Sequence, residues 1–226
     1  MSERVRVEIA PTQSVTAIEY AAPRPTRPGV TLILGHGAGA GQTSGFIVTF
    51  ATALAARGID VVTFNFPYAE LGRRLPDPNR KLEACYRAVI QSVRERRASN
   101  KLAIGGKSMG GRIASQVAAS GIGDLAGLIF LGYPLHPPGR ADRLRAAHLT
   151  QVKAPMLFIQ GSRDAFGTPE ELRPIIDQLK ASVDLYVVEG GDHSLRVVNS
   201  AGRKQADVYR ETQNTIAEWL RAKLPN

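Results

Sequence analysis

The chain has 226 residues, 43 % of them hydrophobic, and its 29 Lys and Arg residues against 20 Asp and Glu give a formal net charge of +9. No apolar stretch is long enough to cross a bilayer or to act as a secretory leader, and the single Cys85 excludes a disulfide framework. We therefore expect one cytoplasmic globular domain over residues 1–226. Its positive residues are scattered without a nucleic-acid module, so we expect a solvated surface that attracts acidic substrates or partners, not nucleic acid.

The first two predicted strands form a hairpin. Residues 5–9 and 15–20 alternate apolar and polar side chains, which is typical of antiparallel strands with one solvated face. Pro23, Pro25 and Pro28 follow, and they predict a stiff, extended connector because proline fixes one backbone torsion.

Strands and helices alternate along the rest of the chain. Continuous apolar runs predict buried strands, and apolar residues repeating every three or four positions predict helices. The predicted order is strand 30–34, helix 46–57, strand 59–64, irregular segment 67–78, helix 80–98, strand 102–104, helix 113–119, strands 125–131 and 155–160, a helix over 169–179 capped by Thr168, strand 184–188 and helix 205–222. We expect an eight-stranded, mostly parallel sheet with helices on both faces, an α/β fold.

A glycine-rich junction joins the predicted strand 102–104 to the next helix. Residues 105–112 read Gly-Gly-Lys-Ser-Met-Gly-Gly-Arg, and G-x-S-x-G in this context is typical of a nucleophile elbow. Gly106 and Gly110 leave room where a side chain would collide with backbone, and the turn exposes the Ser108 hydroxyl. The Met109 N–H then faces any oxyanion formed there. A phosphate-binding loop would instead need glycine at position 101, which is Lys101.

Chemically active residues follow three separate predicted strands. Ser108, Asp164 and His193 occur in that order, and strand ends of a parallel sheet meet at one edge. A serine hydroxyl needs a base at neutral pH, which His193 would supply while Asp164 orients it. After the strand 30–34, a glycine-rich loop offers the Ala38 N–H as a second oxyanion donor. A dinucleotide-binding loop there would need an acidic residue after the next strand, which ends Phe64-Asn65.

Other histidines and carboxylates fit the proton-transfer roles less well. His36 belongs to the glycine loop, and His148 lies outside the predicted strand-end loops. Asp192 is adjacent to His193, and neighbouring side chains point apart, so it is a weaker candidate for the acid than Asp164. Asp142, which follows an earlier strand, is weaker still.

The substrate pocket is predicted from side chains that follow strand ends. This set consists of Phe66, Tyr68, Tyr133, His136 and Phe166, for each of which ordinary packing is an alternative. Arg112, in the first turn of the elbow helix, is expected in a structural ion pair, with an acidic substrate group as the alternative. Cys85 lies on the apolar stripe of its helix, which predicts core packing. No metal-ligand spacing or cofactor motif occurs, so we expect neither a metal nor a cofactor.

Several short motifs together resemble the α/β-hydrolase superfamily over nearly the whole chain. They are His36-Gly37-Ala38-Gly39, Asn65-Phe66-Pro67-Tyr68, residues 106–112, Gly132-Tyr133-Pro134-Leu135, Gly161-Ser162-Arg163-Asp164 and Gly191-Asp192-His193. The sequence is most similar to the small, lidless, dienelactone-hydrolase-like branch that contains the testis-expressed-type proteins. Dienelactone hydrolases have a cysteine at the elbow, where this chain has Ser108.

The sequence thus predicts a serine hydrolase that cleaves small esters or thioesters through an acyl-enzyme. The segment between residues 131 and 155 is too short for a large cap, so we expect an open groove. Because the resemblance also implies relatives noted for scaffolding, a non-catalytic binding module that keeps the fold is the alternative. The oligomeric state is left open.

Overall fold

The computed structural model describes residues 2–23, 29–198 and 204–223. The strands are β1 (Ser2–Ala10), β2 (Gln13–Tyr20), β3 (Val30–Gly35), β4 (Asp60–Phe64), β5 (Lys101–Lys107), β6 (Gly127–Leu131), β7 (Met156–Gly161) and β8 (Val183–Val188). The helices are α1 (Gly45–Ala56), α2 (Pro67–Glu70), α3 (Asn79–Arg96), α4 (Met109–Ala119), α5 (Pro169–Ile176) and α6 (Gln205–Ala222), with a 3₁₀ helix at Ala147–Gln151. No helix in these ranges is long and apolar enough to span a membrane.

One eight-stranded sheet connects the strands in the order β1-β2-β4-β3-β5-β6-β7-β8. Strand β2 runs antiparallel to both of its neighbours, β1 and β4, and every other pair is parallel. The prediction of a mostly parallel sheet with an antiparallel start is therefore confirmed. Parallel pairing brings the carboxyl ends of β3 to β8 to one edge, where the predicted functional residues lie.

Two hydrophobic cores lie on opposite faces of the sheet. In β6, Leu128 and Phe130 join the core that contains α3 and α4, whereas Ile129 and Leu131 join the core with α1 and α6. The alternation follows from the two-residue period of a strand, and it explains why buried strands read as continuous apolar runs. Cys85 is buried in the first of these cores, as the sequence predicted.

Some element boundaries differ from the sequence prediction. The segment expected to be irregular contains α2, since Pro67 occupies the first helical turn, where a missing N–H costs nothing. Helix α3 ends at Arg96, and the Arg97 guanidinium bonds Glu19 of β2 at 2.7 Å. The segment between β6 and β7, where the predicted order has no helix, contains the 3₁₀ helix Ala147–Gln151. Of the connector prolines, Pro25 and Pro28 lie outside the described residues.

The first turn of helix α4 packs unusually close to the backbone of strand β3. A Cβ atom on Gly110 would lie 2.3 Å from the Gly35 carbonyl oxygen, and one on Gly106 would lie 2.4 Å from the same atom. Both contacts are with backbone, which cannot rotate away as a side chain can. The glycines therefore allow α4 to begin directly above β3 and β5, as the elbow motif predicted.

We expect Gly110→Ala to lower the free energy of unfolding by at least about 2 kcal/mol, because the added methyl group overlaps the Gly35 backbone. Gly45→Ala in α1 is the matched control, since a Cβ there meets nothing within 4 Å, and its stability should equal or slightly exceed that of the native protein. Urea denaturation measures both. Equal stability of the two variants would refute the close-approach argument.

Candidate active site

The turn between β5 and α4 holds Ser108 at φ 50° and ψ −115°, a conformation that non-glycine residues rarely adopt. Its N–H donates to the Leu131 carbonyl at 3.0 Å, which anchors the turn to the neighbouring strand. Such backbone strain costs of order 1–3 kcal/mol and persists only where the surrounding structure enforces it. Here the glycine contacts of α4 enforce it, and the Ser108 side chain faces a cavity.

Three side chains from three strand ends form a continuous hydrogen-bonded chain. The Oγ atom of Ser108 lies 2.8 Å from Nε2 of His193, and Nδ1 of His193 lies 2.8 Å and 2.9 Å from the two carboxylate oxygens of Asp164. The structure thus brings together the serine, histidine and aspartate that the sequence predicted. This arrangement can pass the hydroxyl proton to the imidazole while the carboxylate fixes the tautomer.

Asp164 is buried, and its carboxylate accepts hydrogen bonds from neighbouring groups. Only 1 % of the residue is exposed, and its oxygens accept the Phe166 N–H and the Nε2–H of Gln160, each at 2.8 Å. Gln160 also donates to the Gly167 carbonyl and accepts the Tyr133 N–H at 2.8 Å. These bonds fix the orientation of the carboxylate toward His193.

Gln160 is a residue that the sequence analysis missed. It is fully buried at the end of the otherwise apolar strand β7, directly before the loop that carries Asp164. A buried amide needs partners for all its polar atoms, so a glutamine in such a strand is itself a signal of a polar network.

Phe166 lies face to face with the imidazole of His193. The ring centroids are 4.1 Å apart with an interplanar angle of 28°, and Phe166 also lines the cavity. Because one face of the imidazole is covered, its rotation is restricted, which helps to hold both of its hydrogen bonds. Phe166 is thus the one member of the predicted pocket set that the structure places at the cavity.

The other predicted pocket residues are elsewhere. Phe66, Tyr68 and Tyr133 are completely buried in the core, His136 is 5 % exposed, and none of the four lines the cavity. The expectation that they would line the substrate pocket is corrected, because they instead brace the loops behind the site. Tyr133 donates its hydroxyl to the Arg145 carbonyl at 2.9 Å, and His136 contacts Glu171 at 3.2 Å.

His36 supports the loop that carries the predicted oxyanion donor Ala38. Burial lowers the pKa of His36 to about 4, so its neutral ring accepts the Phe66 N–H and contacts the Gly37 carbonyl. Ala38 and Met109 both line the cavity beside Ser108. Among the described residues, neither of their backbone N–H groups has a hydrogen-bond acceptor. Two free donors next to a serine can hold a developing oxyanion.

The alternative residues lie apart from this chain of contacts. Asp192 accepts the N–H groups of Ser194 and Arg196, and Asp142 is paired with Arg140 on the surface. Nε2 of His148, in the 3₁₀ helix, lies 2.7 Å from the Oγ atom of Ser115 in α4. In the described part of the chain, none of these side chains forms a hydrogen bond with the side chain of His193 or Ser108.

The cavity has a volume of about 480 Å³ and opens to solvent above Ser108. Between β6 and β7, residues 132–155 form turns and the 3₁₀ helix only, so no cap covers this opening. The prediction that a large cap is absent is confirmed.

Lys107 is an unusual buried cation at the cavity wall. The residue is 8 % exposed, and its Nζ donates to the His193 carbonyl and lies 5.7 Å above the ring of Phe46. Burial lowers the pKa of Lys107 to about 8, although Asp164 and Asp192 act in the opposite direction. The ammonium group thus ties the histidine loop to the strand that leads into the elbow.

We expect Lys107→Met to raise the free energy of unfolding by about 1–3 kcal/mol near pH 7, because methionine fills similar space without a charge to bury. Unfolded lysine keeps its proton up to its ordinary pKa of 10.5, whereas the folded group loses it near 8, so the native protein gains stability between these values. The advantage of the variant should therefore shrink as the pH rises from about 8 to about 10. Urea denaturation across this range measures it.

Lys101→Met serves as the control, since Lys101 is exposed at the start of the same strand. The difference in free energy of unfolding between Lys101→Met and the native protein should not change comparably with pH. A stability difference for Lys107→Met that is the same at every pH would contradict the buried-cation argument.

Comparison with known proteins identifies the family. Residues 28–221 match the family described as alpha/beta hydrolase domain. A lidless α/β serine hydrolase from Xanthomonas campestris shares 24 % identity at a TM-score of 0.75, covering 100 % of this chain and 96 % of that one. A serine hydrolase homologue from Coxiella burnetii shares 22 % identity at a TM-score of 0.72, covering 99 % of this chain and 97 % of that one. A dienelactone hydrolase from Anabaena variabilis shares 18 % identity at a TM-score of 0.78, covering 100 % of this chain and 99 % of that one. The chain belongs to the alpha/beta hydrolase domain family.

Proposed function

We propose that this protein is a serine hydrolase that cleaves a carboxylic ester or thioester of a small substrate. The observation that carries the proposal is the hydrogen-bonded chain from Ser108 through His193 to Asp164, which opens onto a cavity beside two free backbone N–H groups. The similarity to serine hydrolases and to a dienelactone hydrolase supports a hydrolytic activity. Cys85 is unsuited to act as nucleophile, because burial raises the pKa of its thiol and it lies in the core.

In the proposed reaction, the Ser108 Oγ attacks the substrate carbonyl carbon while Nε2 of His193 accepts the hydroxyl proton. The N–H groups of Ala38 and Met109 stabilise the resulting oxyanion. The tetrahedral intermediate then collapses, and His193 returns the proton to the departing alcohol or thiol. A water molecule, deprotonated by His193, hydrolyses the acyl-enzyme in the same manner and regenerates Ser108.

The remaining assignments are part of the same proposal. Residues 1–226 form a single domain, which the continuity of the sheet across all the described strands supports. The one cysteine is a free, buried thiol, in keeping with a reducing, cytoplasmic location. The reaction as written needs no cofactor or metal.

We expect Ser108→Ala to reduce hydrolysis of p-nitrophenyl acetate to near background and to abolish labelling by a fluorophosphonate, because Ser108 is the nucleophile of the proposed reaction. Asp164→Asn should lower kcat by about 10⁴-fold, since the amide stabilises the wrong tautomer of His193. Asp142→Asn, on the surface, is the control and should keep the native rate. Lack of reaction of the native protein with fluorophosphonate, ester and thioester probes would favour a non-catalytic binding module instead.

The open cavity limits the gain from long acyl chains. Each buried methylene contributes about 0.8 kcal/mol, but only where protein encloses it. Without a cap, we expect kcat/KM to be highest for acetyl to butyryl esters and to decline toward palmitoyl, with no interfacial activation. A series of p-nitrophenyl esters measures this preference, and an optimum at long chains would reveal an apolar channel that contradicts it.

A further inference from the structure

The wall of the cavity is strongly cationic. Lys107, Arg112, Arg145 and Arg196 line it, and the one carboxylate that lines it, Asp77, is already bonded to Arg73 at 3.0 Å and to Lys81 at 3.5 Å. An anion that enters the cavity therefore meets a surplus of positive charge close to Ser108. Low-dielectric walls strengthen such a field relative to that of exposed surface charges.

Arg112 is the member of this set that is best placed to meet a substrate. It lies in the first turn of α4, four residues after Ser108, and its N–H donates to the Ser108 carbonyl at 3.0 Å. Arg112 and Ser108 both line the cavity, so a substrate bound there can meet both side chains.

The structural ion pair expected for Arg112 is absent from the described part of the chain, where no carboxylate lies within 4.0 Å of its guanidinium. Among the described residues, its side-chain partners are two neutral amide oxygens, Oε1 of Gln116 at 3.5 Å and Oδ1 of Asn79 at 3.3 Å. Both bonds are long, and a guanidinium has five N–H donors. Burial and the nearby Arg145 lower the pKa of Arg112, and together they outweigh Tyr133 and Glu83, which act in the opposite direction.

Arg145 stands close to Arg112 on a loop that is held in place. Its N–H donates to the Leu135 carbonyl at 2.7 Å, and its own carbonyl accepts the Tyr133 hydroxyl at 2.9 Å. The side chain is exposed at the cavity and, among the described residues, has no carboxylate partner. The charge of Arg145 lowers the pKa of Arg112, so an anion bound near both residues is attracted by two cations.

We propose that the substrate carries an anionic oxygen group, a carboxylate or a phosphate, which Arg112 binds directly and Arg145 attracts at the mouth of the cavity. This inference rests on the proposed hydrolase function and names its substrate class. Planar guanidinium groups match the oxygens of both anions, and charge-assisted bonds are about twice as strong as neutral ones. The bound anion positions the ester carbonyl over Ser108.

Pairs of substrates with the same acyl group, one member anionic and the other neutral, test the proposal. For a carboxylate, p-nitrophenyl hydrogen glutarate is compared with its neutral methyl ester; for a phosphate, butyryl coenzyme A is compared with butyryl N-acetylcysteamine. In at least one pair, the native protein should prefer the anionic member in kcat/KM. Arg112→Gln should reduce that preference by about tenfold or more. Arg145→Gln should reduce it less, by an amount that falls with added salt, because the residue is exposed.

Arg173→Gln is the control, since Arg173 is exposed on α5, lies outside the cavity wall and undergoes the same change of charge. It should leave the preference unchanged. The pair whose preference depends on Arg112 identifies the anion as carboxylate or phosphate. An equal preference in the native protein and in Arg112→Gln, for both pairs, overturns the proposal.

Binding separates this inference from the hydrolase function itself. In a Ser108→Ala background, calorimetric titration with methyl hydrogen glutarate and with coenzyme A reports recognition without turnover. We expect at least one of these ligands to bind and its affinity to fall by about tenfold on adding Arg112→Gln. If the ligand binds and Arg112→Gln weakens its binding, but the native protein hydrolyses no ester, the hydrolase proposal is refuted and the anion site stands. Absence of binding by both ligands refutes the anion site.

Discussion

The contact between the first turn of α4 and the backbone of β3 is the constraint on which the candidate site depends. With no side chain at Gly106 or Gly110, the helix begins directly above the Gly35 carbonyl. The chain can make this connection only if the intervening residue adopts a positive φ, and that residue is Ser108. Within the described structure, the same turn leaves the Met109 N–H, at the start of the helix and beside Ser108, without a hydrogen-bond acceptor. The proposed nucleophile and one proposed oxyanion donor are therefore both positioned by the same helix–strand contact.

Several features around this turn are unfavourable for stability. Ser108 is strained, Lys107 is buried with a carbonyl as its hydrogen-bond partner, and Arg112 has only neutral partners in the described structure. The two apolar cores on either side of the sheet supply the stability that tolerates them. Proteins keep such local conflicts mainly where function requires them. Their concentration around a single cavity is a physical reason to regard it as the functional site.

Much of this arrangement follows from local sequence patterns. Apolar runs located the strands, and parallel pairing then required Ser108, Asp164 and His193 to meet at one edge of the sheet. The orientation of side chains in loops does not follow in this way. Phe66 and Tyr133 both come directly after strands, yet both turn into the core, because the conformation of the following loop decides this. Gln160 was missed for a related reason, since its partners come from loops distant in sequence.

The site divides into a closed part and an open part. Asp164 is buried and bonded to Gln160, and Phe166 stacks on His193, so the contact between carboxylate and imidazole is held by the protein around it. Ser108 and the cationic wall face the opening. Without a cap, this protein cannot select a substrate by enclosing a long apolar chain, because little surface is available to bury it. Charge acts over longer distances than apolar contact, and an open cavity can therefore use it to choose and orient a small substrate.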